Sequence, residues 1–369
     1  MPERNIVLTP GPTPVPPSVL KVMAEPIFHH RTPRYRKLFE EVSERLKGVF
    51  RTKQAVYTFT GSGTLAMEAS MVNFLSSGDK VIVLEAGKFG ERWSEIAKAY
   101  QIKTVSLKAP YGDAIAPGEV EKALKLHPDA KGVYGTLCET STGVLLDIES
   151  IAKLVAQTNA IFVVDAISGL AADPLEMDGW KVDVVVSGSQ KGLMIPPGLA
   201  FISYSDKAKR LLAKATLQCF YVNLSKYEKS LQDSDTPFTP ALTLVLALQA
   251  ALQKIRGEGL EQVWHRTKTL AGETRALMTE LGLQLFAKRP ANTLTAVHVP
   301  QGIDGEKLVS TMRDEKGVTL AGGQGEMKGK IFRIAHLGFI TASDIRTGVK
   351  VLQETLAEMG HQSKSKARV

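Results

Sequence analysis

Cysteine is scarce in this chain: two among 369 residues, Cys138 and Cys219. They form no CxxC pair and no Cys/His cluster, which excludes a disulfide framework and a structural zinc site. Both read as buried or partly buried thiols. Long apolar runs are also missing. None approaches the ~18 residues that span a bilayer, so no membrane association is expected. The opening Met-Pro-Glu-Arg-Asn lacks the apolar stretch of a signal peptide, and the expectation is a soluble, cytoplasmic protein. The formal net charge is +8, but Lys and Arg are interleaved with Asp and Glu along the chain. Only Lys364, Lys366 and Arg368 gather, in a polar tail over 359–369 that reads as frayed. Nucleic acid is therefore not an expected partner, whereas small anionic substrates suit a basic balance. There is no internal repeat, no phosphate loop of the Gly-x4-Gly-Lys-Ser/Thr type and no complete GxGxxG.

What is present is alternation. Residues 8–17 carry five prolines and read as an extended arm, covering 1–17. Ser18 is placed to cap a short helix through 24. Apolar residues at three- and four-residue spacing predict a helix over 35–50. Strands are predicted at 55–60, 80–84, 103–107, 132–137, 160–164, 182–187 and 199–203. Helices are predicted between them at 64–74, 90–100, 117–125 and 148–158. This order predicts an α/β fold with a mostly parallel sheet, in which ligands bind at the carboxyl ends of the strands. A helix over 206–215 follows. The stretch 226–238 reads as polar and turn-rich, and 242–256 as a buried helix. Near residue 256 the pattern restarts: helices at 260–281, from 305 and at 343–359, strands at 294–298 and 331–334, and a glycine-rich loop over 321–326. The predicted organisation is a large domain over 18–255 and a smaller α+β domain over 256–358.

Six features can carry chemistry, and each has a plainer alternative. Lys191 follows a β-branched strand and Ser-Gly-Ser-Gln, a context that can hold its amine in a cleft. Desolvation and a cationic neighbour would lower its pKa, as an imine-forming amine needs. The alternative is a solvated lysine. Asp165 ends the run Phe-Val-Val-Asp; such a buried carboxylate needs a partner, and a protonated pyridine nitrogen is one. A strand-end cap is the alternative. Gly61-Ser-Gly-Thr64 joins a strand to a helix, whose amino end can hold a phosphate or simply be capped. Phe89 can stack on a flat ring or pack on the core. The hydroxyls in Glu139-Thr-Ser-Thr-Gly143 can bind a ligand or build a turn. Arg333 alternates with apolar residues in a strand, where its guanidinium can take a carboxylate or sit at an edge.

The order of these features and the strings around them resemble one family. The strings are Leu-Thr-Pro-Gly-Pro-Thr-Pro-Val-Pro, Gly-Ser-Gly-Thr-x-Ala-Met-Glu-Ala, Glu-Thr-Ser-Thr-Gly-Val, Val-Val-Asp-Ala-Ile-Ser, Ser-Gly-Ser-Gln-Lys-Gly, Pro-Pro-Gly-Leu-Ala and Phe-Arg-Ile-Ala-His-Leu-Gly. From about Leu8 to about Leu356 the chain resembles the class V (subgroup IV) pyridoxal-phosphate aminotransferases of fold type I. It looks most like the alanine–glyoxylate and serine–pyruvate branch. The resemblance implies a large domain with a mostly parallel mixed sheet flanked by helices, plus a smaller C-terminal domain. It implies pyridoxal 5'-phosphate as cofactor and ping-pong transfer of an amino group from alanine or serine to glyoxylate or pyruvate. A phosphonate aminotransferase or a desulfurase-like lyase is the alternative activity.

Residue by residue, the resemblance makes Lys191 the Schiff-base lysine and Asp165 the partner of the ring nitrogen. Phe89 takes one ring face, where relatives often carry tryptophan, and Ile167 takes the other. Ser62, Gly63 and Thr64 hold the phosphate, with Gln190 next to it. Thr140 lies near the phenolic oxygen. Thr236 reaches the phosphate of a neighbouring subunit, which implies a homodimer with shared active sites. Arg333 binds the substrate carboxylate, and Gly11 lines the same pocket. One departure concerns Asp233, which stands where some relatives have a tyrosine.

Overall fold

The computed structural model describes residues 5–361. Lys364, Lys366 and Arg368 lie outside them. Seven strands form the main sheet, in the order Val56–Thr60, Leu199–Tyr204, Val184–Gly188, Ile161–Asp165, Gly132–Thr136, Lys80–Glu85, Lys103–Lys108. Leu199–Tyr204 runs antiparallel to both neighbours, and the other pairs are parallel. The sheet is thus the mostly parallel mixed sheet that the alternation predicts.

Period-two geometry explains why helices cover both faces. Ile82, Leu84, Phe162, Val164 and Val185 point into one apolar core. Val81, Val83, Ile161, Val163, Val184 and Val186, their immediate neighbours in sequence, point into the other. The first core takes helices Pro33–Phe50, Ile148–Val155 and Leu242–Glu258; the second takes Gly63–Val72 and Lys88–Ala99. Every residue of Ile161–Asp165 and Val184–Gly188 is buried, as expected of strands covered on both faces.

A three-stranded antiparallel sheet has Ile331–Ala335 at its centre, between Leu294–His298 and Ala321–Gly322. Its apolar side packs with helices Gly305–Asp314 and Ala342–Glu358 in a separate core. Helix Leu260–Glu280 joins the two parts. Leu260 and Val263 enter the large core, and Leu270 and Met278 the small one. The arm is tied down at its start, where Ile6–Val7 pairs in parallel with Val318–Thr319.

Three local expectations need correction. The stretch 226–238 is not all turn: Leu224–Leu231 is a helix whose first turn is capped by the Asn223 side chain. Its apolar face, Leu224 and Tyr227, is hidden in sequence among Lys, Ser and Glu of the outer face. Ala321–Gly322 is a strand and not loop, because pairing with Phe332 and Arg333 overrides glycine's poor local preference. Ser18 does not cap the first helix. That helix is Pro17–Met23, and proline at its first position sets the helical φ.

Candidate active site

The carboxyl ends of the central strands meet the amino end of helix Gly63–Val72. Between them lies a cavity of about 90 Å³. Larger clefts exist, one of about 610 Å³ along Lys254, His265 and Phe339, but none of the strand-end residues reaches it. The chemistry is gathered in the small cavity.

Lys191 enters from the turn after Val184–Gly188. Its Nζ donates to the Pro10 carbonyl at 2.6 Å. Burial pushes this amine down to about 8, although Asp165 opposes the shift. The arm is strapped to the same turn: Thr13 donates its amide to Gln190 O at 3.2 Å and its hydroxyl to Lys191 O at 3.0 Å. Gly11 has φ +129°, and a Cβ there would lie 2.4 Å from Lys191 Nζ. A larger residue would displace the lysine.

Asp165 terminates its strand with 2% of its surface exposed. One carboxylate oxygen accepts the Ile167 amide at 2.7 Å. Burial raises the carboxyl to about 7, and the nearby Glu139 adds to the rise. This site would be relieved by a cationic partner.

The turn Gly61–Thr64 leaves the start of its helix open. Ser62 occupies the cap position without capping through its side chain. Gly63 packs so tightly that a Cβ would sit 2.6 Å from Ile167 Cδ1. Gln190 Oε1 is buried without a hydrogen-bond partner. The open backbone amides suit an anion, and the Gln190 side chain can add its N–H2 donors, not its oxygen, to such a group.

The helix predicted from residue 90 begins earlier, at Lys88, so Phe89 lies in the first turn of helix Lys88–Ala99 and not in the loop before it. Buried Glu139 caps that turn, accepting the amides of Phe89 at 3.1 Å and Gly90 at 2.9 Å. Ser141 donates its hydroxyl to the same carboxylate at 2.5 Å. Burial raises the Glu139 carboxyl, and these donors oppose the shift. Thr140 donates to Ser168 Oγ at 2.7 Å, and Ser168 donates to Cys138 O at 3.1 Å. Cys138 is fully buried, which pushes its thiol up.

Arg333 is 4% exposed on the central strand of the small sheet, so the edge-strand alternative does not hold. Its guanidinium donates to Gly322 O from Nε at 3.0 Å and Nη2 at 2.7 Å, and to Thr140 O from Nη1 at 2.7 Å. It borders the cavity through Thr140 and is not one of the lining residues. Burial lowers the guanidinium to about 10.

Ser62, Gly63, Thr64, Phe89, Thr140, Asp165, Ile167, Gln190 and Lys191 thus line one space. Thr236 does not join them. It is buried elsewhere, with its hydroxyl donated to Phe238 O at 2.7 Å and its carbonyl bonded to Arg31. Asp233 is exposed, and the buried neighbour Asp235 pairs with Arg31 at 2.7 Å. Three residues were missed in the sequence reading: Ser168, Arg92 and the capping role of Glu139. Arg92 had a usable signal, since it lies three positions after Phe89 on one helix.

Comparison with known proteins agrees with this geometry. The family model for aminotransferase class-V matches residues 7–343. A protein of Synechococcus sp. named soluble hydrogenase, small subunit, is 42% identical over 98% of this chain and 95% of its own length. The L-aspartate–glyoxylate aminotransferase of Paracoccus denitrificans is 32% identical over 98% of this chain and 93% of its own. Among solved structures, an alanine–glyoxylate aminotransferase from Nostoc sp. superposes with a TM-score of 0.92 at 28% identity, covering 96% of each chain. The chain belongs to the class V aminotransferases, pyridoxal-phosphate enzymes of fold type I that transfer amino groups.

Proposed function

We propose that this aminotransferase takes the amino group of a small donor, alanine or serine, and passes it to glyoxylate or pyruvate. The observation that carries the reading is the meeting of Lys191, Asp165 and an open helix amino end in one cavity. The names of the Paracoccus and Nostoc relatives support glyoxylate as the acceptor. The residues present fit pyridoxal phosphate. The amides at the start of helix Gly63–Val72 have no side-chain cap, Asp165 is a buried acid with no ion pair among the described residues, and Gly63 lets backbone approach closely. Bound there, the cofactor supplies an aldehyde carbon for the amino group and an electron-withdrawing ring.

The chain's own groups would divide the work as follows. Ser62, Gly63, Thr64 and Gln190 hold the phosphate, while Phe89 and Ile167 cover the two ring faces. Thr140, tied to Ser168, would serve the phenolic oxygen. Asp165 holds a proton on the ring nitrogen. Lys191 Nζ takes the proton from the donor's Cα and returns one on the far side of the transfer. An amine near 8 can do both at neutral pH. Of Arg333's five N–H groups, three are bonded to Gly322 and Thr140. One remains on each terminal nitrogen, and these would receive the substrate carboxylate. Gly11 closes the same pocket.

Large and small units over 18–255 and 256–358 are part of this reading, and so is a homodimer with shared sites. Exposed Ile27 and Phe220, at 73% and 72%, support a partner surface. Thr236 would serve the neighbouring subunit's phosphate. A desulfurase reading is weaker, because Cys138 is buried with a raised thiol and Cys219 packs near Asn73, away from the cavity.

A half-reaction screen tests the proposal. The loaded enzyme is mixed with single amino acids, and conversion of the bound cofactor to its pyridoxamine form is followed by absorbance. Alanine or serine should convert it, and Lys191→Ala should abolish the conversion. If no amino acid does so, the proposed activity is wrong.

A further inference from the structure

Arg92 follows Phe89 by three positions on helix Lys88–Ala99, so the two side chains share a face. The guanidinium carbon lies 4.8 Å from the centre of the Phe89 ring. Its Nη1 donates to Thr64 Oγ1 at 3.3 Å, at the mouth of the Gly61–Thr64 turn. It lines the cavity together with Ser62, Gly63, Thr64 and Gln190. Its charge reaches the reacting groups, lowering the pKa of both Asp165 and Lys191.

Among the described residues no carboxylate forms an ion pair with this cation. The adjacent Glu91 is taken by Lys88 and Tyr111. Among the described residues Arg92 has no ion pair, and one hydroxyl contact leaves most of its five N–H donors free. The helix that begins at Gly63 carries no acidic residue in its first turn either. A planar cation beside an aromatic ring, with one arm of its fork on the Thr64 hydroxyl next to uncapped helix amides, can take a bidentate oxyanion.

We propose that Arg92 is the charged anchor of the cofactor's phosphate group, acting beside the Gly61–Thr64 amides, with Phe89 fixing the orientation of its guanidinium. This rests on the cofactor reading above and adds the one full positive charge that Ser62, Gly63, Thr64 and Gln190 do not provide. It also couples two halves of the site. The same side chain touches the residue expected on the ring face and the residue expected at the phosphate.

The test compares affinities and needs no turnover. Cofactor-free wild type and Arg92→Gln are titrated with pyridoxal phosphate and with pyridoxal, which has the same ring and aldehyde but no phosphate. Binding is read by visible absorbance. Arg92→Gln should weaken pyridoxal phosphate by about tenfold to a hundredfold, the size of a charge-assisted hydrogen bond, and leave pyridoxal nearly unchanged. Arg92→Lys keeps the charge and should fall between the two; it also carries the comparison if the glutamine variant does not fold. Equal weakening of both ligands would assign Arg92 to the ring or the fold, and no weakening would assign it no role; either overturns the proposal. If wild type binds neither ligand, the cofactor reading fails first and this assignment falls with it.

Discussion

At the scale of single residues, Lys191 is governed by its surroundings more than by its type. Burial lowers its amine to about 8, and the Pro10 carbonyl gives the side chain a fixed resting place. An amine reacts through its lone pair, which is free only above its pKa. In the cofactor-free protein, reductive methylation of Lys191 by formaldehyde should therefore rise with pH through about 8 and level off. Exposed lysines, near ~10.4, should still be rising there. Peptide mapping by mass spectrometry over a pH series would resolve the two. A midpoint for Lys191 close to that of the surface lysines would show that burial does not set its reactivity. Gly11 makes the complementary point. Its value lies in the missing side chain, whose place the lysine occupies.

At the scale of elements, the hairpin Cys138–Glu139 and Val144–Leu145 acts on the helix that carries Phe89 and Arg92. Glu139 satisfies amides that the helix start cannot pair internally. Removing the carboxyl in Glu139→Ala should cost about 1–3 kcal/mol, since it strands buried donors. Glu139→Gln keeps one acceptor oxygen and should cost less. Urea unfolding of the two variants checks this, and equal stability of Glu139→Ala and wild type would contradict the capping role. Helices and strands themselves were largely legible. The apolar runs 80–84 and 160–164, set between helical stretches, are local patterns with a local meaning. The helix Leu224–Leu231 was not legible, because its apolar face is short and diluted by charged neighbours.

At the scale of the whole molecule, Thr236 sets the question. It lies outside the cavity of its own chain, and exposed Phe220 and Tyr221 stack around Phe238 close to it. If two chains share their sites, defects on different chains should complement. A heterodimer of Lys191→Ala and Thr236→Ala chains would hold one site with both defects and one with neither. Mixing the two variants should restore wild-type cofactor affinity to about a quarter of all sites, as random pairing of a twofold dimer requires. Titration of the mixture with pyridoxal phosphate reads this directly, and a mixture that merely averages its parents would place Thr236 outside the site.

The sequence by itself determined the alternating α/β order and the positions of Asp165 and Lys191 at strand ends. Those are properties of neighbours along the chain, where period and composition carry the information. Only the tertiary structure decided that Pro10 and Gly11 lie on Lys191, that Glu139 caps the helix of Phe89, and that Arg92 meets Thr64. Each of these joins segments far apart in sequence, and which donor meets which acceptor is set by how strands and helices pack against one another. No local period encodes that choice.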